Sequence, residues 1–130
     1  MTIEDIKALI ASDESRTLEL KNTTGELKDG MYAACAFLNT EGGWLLFGVA
    51  PKSLKIIGQQ VTDDTKREIA QALAGLEPAY AITPIYVDVP EYPGNKVIAF
   101  HFDEWEWGAE ALYQHSHGAS EPESADARQN

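Results

Sequence analysis

The sequence predicts a single α+β domain in which helices pack on a mixed, mostly antiparallel sheet. The chain has 130 residues, 44% of them hydrophobic, and this length suits one hydrophobic core but not two domains. Apolar residues recur at helical spacing in some segments and alternate at strand spacing in others. Taken along the chain, these patterns give the element order α-β-α-β-β-α-β-β.

The first helix and the first strand are short. Thr2 followed by Asp5 has the spacing of a helix-capping pattern, and the apolar residues after it predict a helix over about residues 2–11. Leu18 and Leu20 then alternate with polar side chains. This alternation predicts a strand with one buried face.

The centre of the chain reads as a helix that leads directly into a buried strand. Residues 27–38 have the apolar spacing of a core-facing helix, and Gly42 and Gly43 are typical of its end. Both faces of residues 44–49 are largely apolar, which predicts a central strand covered on both sides. After a turn, residues 54–58 are expected to return as the hairpin partner of this strand.

A third helix and a second hairpin complete the predicted fold. Asp63 and Asp64 are typical of a helix start, and the residues that follow have one apolar and one charged face. Residues 85–89 and 98–102 alternate between the two faces of a sheet, with a Pro-Gly turn between them, and predict two paired strands. Residues 1–108 are therefore assigned to the domain.

The end of the chain differs in composition. Residues 109–130 contain few large apolar side chains, and we expect them to form a disordered acidic tail. The whole chain has 10 Lys and Arg against 21 Asp and Glu residues, a formal net charge of −11. Such a charge repels phosphate at long range, so composition alone argues against a nucleic-acid-binding protein.

Composition also bears on location and on thiol chemistry. No segment approaches the roughly 18 consecutive apolar residues of a membrane-spanning helix, and the first residues lack the pattern of a secretory signal. A cytoplasmic location without membrane contact is expected. The single cysteine, Cys35, lies among alanines and a phenylalanine, and we expect it in the core rather than at a reactive site.

Two motifs carry a family resemblance. Residues 14–21 read E-S-R-T-L-E-L-K, and residues 37–49 read F-L-N-T-E-G-G-W-L-L-F-G-V. In this order and spacing they resemble the Schlafen AlbA-like domain family, over about residues 12–103. The resemblance implies a DNA- or RNA-binding domain, and a role in transcriptional regulation is one expectation.

The candidate contact residues lie on the first strand, at the helix-to-strand corner and on the first hairpin. If the first strand and the hairpin are neighbours, Arg16, Lys21, Lys52 and Lys55 are expected to form a local basic strip. Paired glycines at the corner allow a phosphate to approach the backbone closely. The predicted nucleic-acid-binding set is Glu14, Arg16, Glu19, Lys21, Asn39, Thr40, Gly42, Gly43, Lys52 and Lys55.

A metal-dependent ribonuclease is one alternative that the resemblance implies. In such relatives an acidic triad holds the metal, and its positions here are Glu14, Glu19 and Pro51. Three carboxylates suit a hard divalent cation that polarises a phosphate, whereas proline supplies no ligand side chain. No catalytic residue, metal or cofactor is therefore predicted.

A protein-interaction or oligomerisation module is the other alternative. The family's basic closing strand has no counterpart in the C-terminal sequence, so we expect an exposed sheet edge that a second copy or another protein could cover. Trp105 and Trp107 lie in an acidic, aromatic segment that fits a protein contact.

Overall fold

The computed structural model describes residues 1–12, 15–77, 81–105 and 111–113. It has the predicted α+β architecture, with three helices, a four-stranded mixed sheet and a two-stranded sheet. The elements are α1 (Ile3–Ala11), β1 (Leu18–Lys21), α2 (Leu27–Leu38), β2 (Gly43–Phe47), α3 (Asp63–Ala74), β3 (Leu76–Glu77), β4 (Ile85–Asp88), β5 (Lys96–Phe102) and β6 (Leu112–Tyr113).

The larger sheet has the strand order β1-β2-β5-β4, which places β2 in the interior as predicted. Strands β1 and β2 are parallel, and α2 provides the crossover that a parallel pair requires. The other two pairings, β2 with β5 and β4 with β5, are antiparallel. The second of these is the predicted hairpin, and the sheet is therefore mostly antiparallel.

The sheet is covered by one helix on one face and by two helices on the other. On the first face, Ile6 of α1 is fully buried against Leu46 of β2 and Val97 of β5. On the second face, Met31 of α2 and Ile69 of α3 pack on a cluster of aromatic rings. These rings belong to Phe47, Phe100 and Phe102, and full burial of each contributes roughly 1.5–3 kcal/mol.

The predicted hairpin partner of β2 is not a strand. Within residues 54–58, the only ladder contact that forms is an isolated bridge between Ile56 and Val49. The prediction was wrong because Leu54 and Gly58 have φ angles of 63° and 71°, which are incompatible with an extended strand. The segment forms a loop instead.

The fold also extends further along the chain than predicted. β6 pairs with β3 in an antiparallel ladder, and Ala111 is 3% exposed. These three residues, 111–113, lie within the segment 109–130 that was assigned to a tail, and that assignment is wrong for them. Short strands of two residues have no periodicity for sequence reasoning to detect. The other residues of the expected tail lie outside the described residues.

Helix length bears on the expectation that no part of the chain crosses a membrane. The three helices have 9, 12 and 12 residues. Within the described ranges, none of them is both long and apolar enough to cross a lipid bilayer.

Gly42 and Gly94 form a matched pair for testing the corner between α2 and β2. Both have left-handed φ angles, 84° and 91°, but a Cβ on Gly42 would lie 2.5 Å from the carbonyl oxygen of Phe102, whereas a Cβ on Gly94 would meet no atom within 4 Å. We expect Gly94→Ala to lower the free energy of unfolding by about 1 kcal/mol and Gly42→Ala by roughly 3 kcal/mol. Urea denaturation followed by circular dichroism measures both. Equal losses would show that the close backbone approach at Gly42 has no energetic consequence.

Candidate nucleic-acid interface

Glu19 and Lys21 of β1 form an ion pair with each other. They lie opposite Leu45 and Phe47 in the parallel ladder and so share the sheet face that α2 covers. The Nζ atom of Lys21 is 3.3 Å from Oε2 of Glu19, and the Lys21 side chain is only 16% exposed. The charge of Lys21 is thus largely matched within the fold and poorly presented to a ligand.

Arg16 lies at the other end of β1 from Lys21. Its Nε atom is 3.3 Å from Oε2 of Glu41, in the turn that follows α2. The four-residue strand β1 thus lies between Arg16 and Lys21 along the chain, and the expected basic strip with Lys52 and Lys55 stays a prediction. Glu14, which precedes Arg16, lies outside the described residues.

The side chains of Asn39 and Thr40 hydrogen-bond to the backbone of this chain. The Asn39 amide donates from Nδ2 to the Ala111 carbonyl at 3.1 Å and accepts from the Ala111 N–H at 2.7 Å. The Thr40 hydroxyl donates to the Ala36 carbonyl at 2.7 Å. Asn39 therefore fixes the C-terminal segment against α2, and Thr40 satisfies a carbonyl near the helix end.

The two glycines of the same corner are buried in tight contact with their neighbours. Gly42 approaches the Phe102 carbonyl, as described above, and a Cβ on Gly43 would lie 2.7 Å from both the Phe37 ring and the Thr17 carbonyl oxygen. These contacts explain the glycine pair as a requirement of the fold, because only glycine leaves room for the neighbouring backbone and ring.

Trp105 is also part of the core rather than of a free aromatic surface. Its backbone N–H donates to the Leu38 carbonyl at 2.7 Å, and its partly buried side chain packs on the aromatic cluster. Trp107 lies outside the described residues. In the four-stranded sheet the edges are β1 and β4, and the expectation of an oligomer through a sheet edge stays a prediction.

Lys52 and Lys55 lie in a loop whose base is rigid. Gly58 donates from its N–H to the Gly48 carbonyl at 2.8 Å, and a Cβ on Gly48 would lie 2.8 Å from the Gly58 Cα. Gln59 then exchanges two backbone hydrogen bonds with Lys96, and its side-chain carbonyl accepts from the Thr24 N–H at 2.7 Å. The loop base is thus tied to the end of β2, the start of β5 and the turn before α2.

We call residues 50–57 the lysine loop. It is closed by hydrogen bonds from the Ala50 N–H to the Lys55 carbonyl and from the Leu54 N–H to the Ala50 carbonyl, at 3.0 and 2.9 Å. Lys52 and Lys55 are exposed, and Nζ of Lys55 lies 5.9 Å from the centre of the Tyr92 ring. A cation held over an aromatic ring keeps its charge and loses some mobility.

The lysine loop differs electrostatically from the rest of the protein. No described carboxylate forms an ion pair with Lys52 or Lys55, whereas Lys7, Arg67 and Lys96 each have an acidic partner. Asp and Glu are absent from the sequence between Gly42 and Thr62, the longest such run in this acidic chain. This run is the signal in the sequence that reveals the basic character of the loop, which single lysines do not reveal.

The described carboxylates do not form an evident metal site. Within residues 1–12, 15–77, 81–105 and 111–113, no group of three or more Asp, Glu, His or Cys side chains could hold an ion. Of the three triad positions, Glu19 is paired with Lys21, Pro51 has no ligand atom in its side chain, and Glu14 is not described.

Cys35 is a buried free thiol, as predicted. Burial raises its pKa from the ordinary value of 9.0 to about 11. The thiol is therefore protonated at neutral pH and unsuited to act as a nucleophile.

An open apolar groove of about 460 Å³ lies away from all of these residues, between α1 and the sheet. Leu9 of α1, Trp44 of β2 and Ile85 of β4 line it. Trp44 also packs on His101, with the ring centres 4.6 Å apart. The groove contains none of the predicted site residues.

The chain matches the sequence model of a known protein family. A family model described as Schlafen, AlbA_2 matches residues 14–119, which is most of the chain. The search of curated proteins found no match. The match to the family model therefore carries the assignment.

Two solved structures show the same fold. One is the solution structure of the N-terminal domain of a protein from Nitrosomonas europaea described as related to the ATP-dependent DNA helicase RecG. It is 20% identical with a TM-score of 0.59, over 98% of this chain and 95% of that one. The other is the crystal structure of the DIP2311 protein from Corynebacterium diphtheriae, 15% identical with a TM-score of 0.50. It matches over 85% of this chain but only 23% of its own.

Asn39 offers a graded test of its structural role. Asn39→Asp keeps the acceptor for the Ala111 N–H and loses the donor to its carbonyl, while Asn39→Ala loses both. We expect losses in the free energy of unfolding of about 1 kcal/mol for Asp and about 2 kcal/mol for Ala. Hydrogen exchange should show faster exchange of the Ala111 amide in Asn39→Ala than in Asn39→Asp. Unchanged exchange in Asn39→Ala would contradict the assigned contact.

The raised pKa of Cys35 predicts a loss of stability in alkali. The unfolded chain ionises near pH 9.0 while the folded thiol holds its proton to about 11, so the free energy of unfolding falls as the pH rises between these values. We expect Cys35→Ala to remove up to about 2 kcal/mol of this fall. Urea titrations at several pH values measure it. Burial also raises the pKa of Tyr113. Tyr113→Phe is therefore the control that separates the contribution of this tyrosine from that of Cys35. Parallel curves for wild type and Cys35→Ala would disprove the contribution.

Proposed function

Because the chain belongs to the Schlafen AlbA_2 family, we propose that it binds nucleic acid through the lysine loop and does not cleave it. The observation that carries this proposal is the exposure of Lys52 and Lys55, without acidic partners among the described residues, on a rigid loop. Lysines of this kind neutralise phosphates and release counterions, and this release supplies most of the affinity of sequence-independent binding.

The net charge of −11 limits the affinity but does not prevent local contact. Exposed charges separated by more than about 8 Å are largely screened at physiological ionic strength. The nearest residues along the chain to the two lysines carry no negative charge, because the run from Gly42 to Thr62 is free of Asp and Glu. The loop itself therefore presents only positive charge to a phosphate, and the acidic surface elsewhere weakens non-specific attachment.

Binding without cleavage is supported by the state of the triad positions. A metal site for phosphate hydrolysis needs several oxygen ligands around one cation. Glu19 is already paired with Lys21 at 3.3 Å, and Pro51 at the third position supplies no side-chain ligand. Incubation of labelled RNA with Mg²⁺ or Mn²⁺ is expected to leave it intact. Cleavage that is lost in Glu19→Gln would reverse this part of the proposal.

The test of binding is a fluorescence-anisotropy titration with labelled duplex DNA, single-stranded DNA and RNA at about 50 and 200 mM NaCl. We expect Lys52→Gln/Lys55→Gln to weaken binding at least roughly tenfold at the lower salt concentration and to reduce the slope of log K against log salt by about 2. The reason is the loss of two phosphate contacts.

The matched control is Lys7→Gln/Arg67→Gln. It removes the same total charge from two exposed side chains that are already paired with Glu4 and Asp64. Its affinity should stay close to that of the wild type. An equal loss in both double variants would mean that net charge, and not the lysine loop, controls binding. No binding of any nucleic acid by the wild type would overturn the proposal itself.

A further inference from the structure

The lysine loop exposes two apolar side chains as well as two cations. Leu54 is 44% exposed and Ile57 is 39% exposed. Leu54 directly precedes Lys55 in the chain, and only Ser53 separates it from Lys52. An aliphatic side chain at the tip of a rigid, basic loop makes little contribution to the core and is displayed to whatever the lysines contact.

The backbone at Leu54 is strained. Its φ angle of 63° is the only positive value at a non-glycine position in the part of the chain that the structure describes. Leucine is disfavoured in this conformation, which glycine and asparagine adopt more readily. Two backbone hydrogen bonds of the loop hold Leu54 there. Strain held at an exposed position points to a function for the side chain, because stability alone favours glycine.

The positive charge of the lysine loop indicates which kind of ligand its tip fits. The lysines on both sides of Leu54 fit two negatively charged phosphates, and Lys55 is partly fixed over the Tyr92 ring. Proteins that bend DNA insert a leucine or a similar apolar side chain into a base step from the minor groove, while basic residues hold the flanking phosphates. The lysine loop has both parts of this arrangement within six residues of the chain, from Lys52 to Ile57.

We propose that Leu54 is an apolar wedge that enters a base step of duplex DNA, with Lys52 and Lys55 on the phosphates at either side. This inference rests on the proposed function and adds the kind of nucleic acid and the mode of contact. Insertion partly unstacks one step and bends the duplex by about 20–90°.

The test separates binding from bending. A duplex of about 25 base pairs, well below the persistence length of DNA, carries a donor and an acceptor dye at its ends and 2-aminopurine at internal positions. With saturating wild-type protein we expect higher energy transfer and higher 2-aminopurine fluorescence. Leu54→Asn, which suits the left-handed backbone, should bind within about fivefold of the wild type but leave both signals at their free-DNA values.

Two further variants sharpen the result. Leu54→Met keeps an apolar side chain and should retain the bend. Leu112→Asn removes a leucine of β6 that is 50% exposed, against 44% for Leu54, and should leave the bend unchanged. Binding of the wild type without either signal, or a bend that persists in Leu54→Asn, would overturn the wedge and leave the proposed function intact. Binding of RNA or single strands alone would overturn it too. So would wild-type binding to vesicles of anionic lipid that is lost in Leu54→Asn, if DNA stays straight.

Discussion

The burial of β2 on both faces is the constraint on which the rest of the structure depends. Strands β1 and β5 pair with it on either side, and helices cover it above and below. Leu45, Leu46 and Phe47 have no exposed surface at all. A strand held this tightly fixes both of its ends. The start of β2 adjoins the turn that follows α2. The end of β2 leads through Gly48 into the lysine loop.

The two ends of β2 have different consequences for function. At the first end, Asn39, Thr40 and the two glycines make contacts within the chain that account for their presence. At the second end, the hydrogen bonds that close the loop use backbone groups, and the side chains of Lys52, Leu54 and Lys55 are exposed. The interior thus makes the loop a rigid projection, and the loop tip contributes little to the interior.

Sequence reasoning predicted the elements that have clear periodicity. The three helices, the interior position of β2 and the hairpin of β4 and β5 follow from apolar spacing, which burial imposes directly. It could not predict that Leu54 adopts a left-handed conformation, because loop hydrogen bonds and the contact between Gly48 and Gly58 impose it. It also missed β3 and β6, whose pairing depends on residues far apart in the chain.

The candidate site was predictable in part for a similar reason. Residue type alone placed Lys52 and Lys55 in the predicted set, but it could not show that Glu41 pairs with Arg16 or that Glu19 pairs with Lys21. The pairing partner of a charge is set by strand register and by helix ends, neither of which a motif specifies. The proposal therefore rests on Lys52 and Lys55, and the other residues of the predicted set stay predictions.

The attachment of Ala111 has a consequence for anyone who shortens this protein. A chain that ends at residue 108 loses the partner strand of β3 and the small side chain that fills the space beside α2. It leaves the Asn39 amide facing water, and it uncovers Leu76, which is now 2% exposed. A fragment cut there therefore lacks contacts that the core of the whole chain makes, and newly exposed apolar surface favours association between copies.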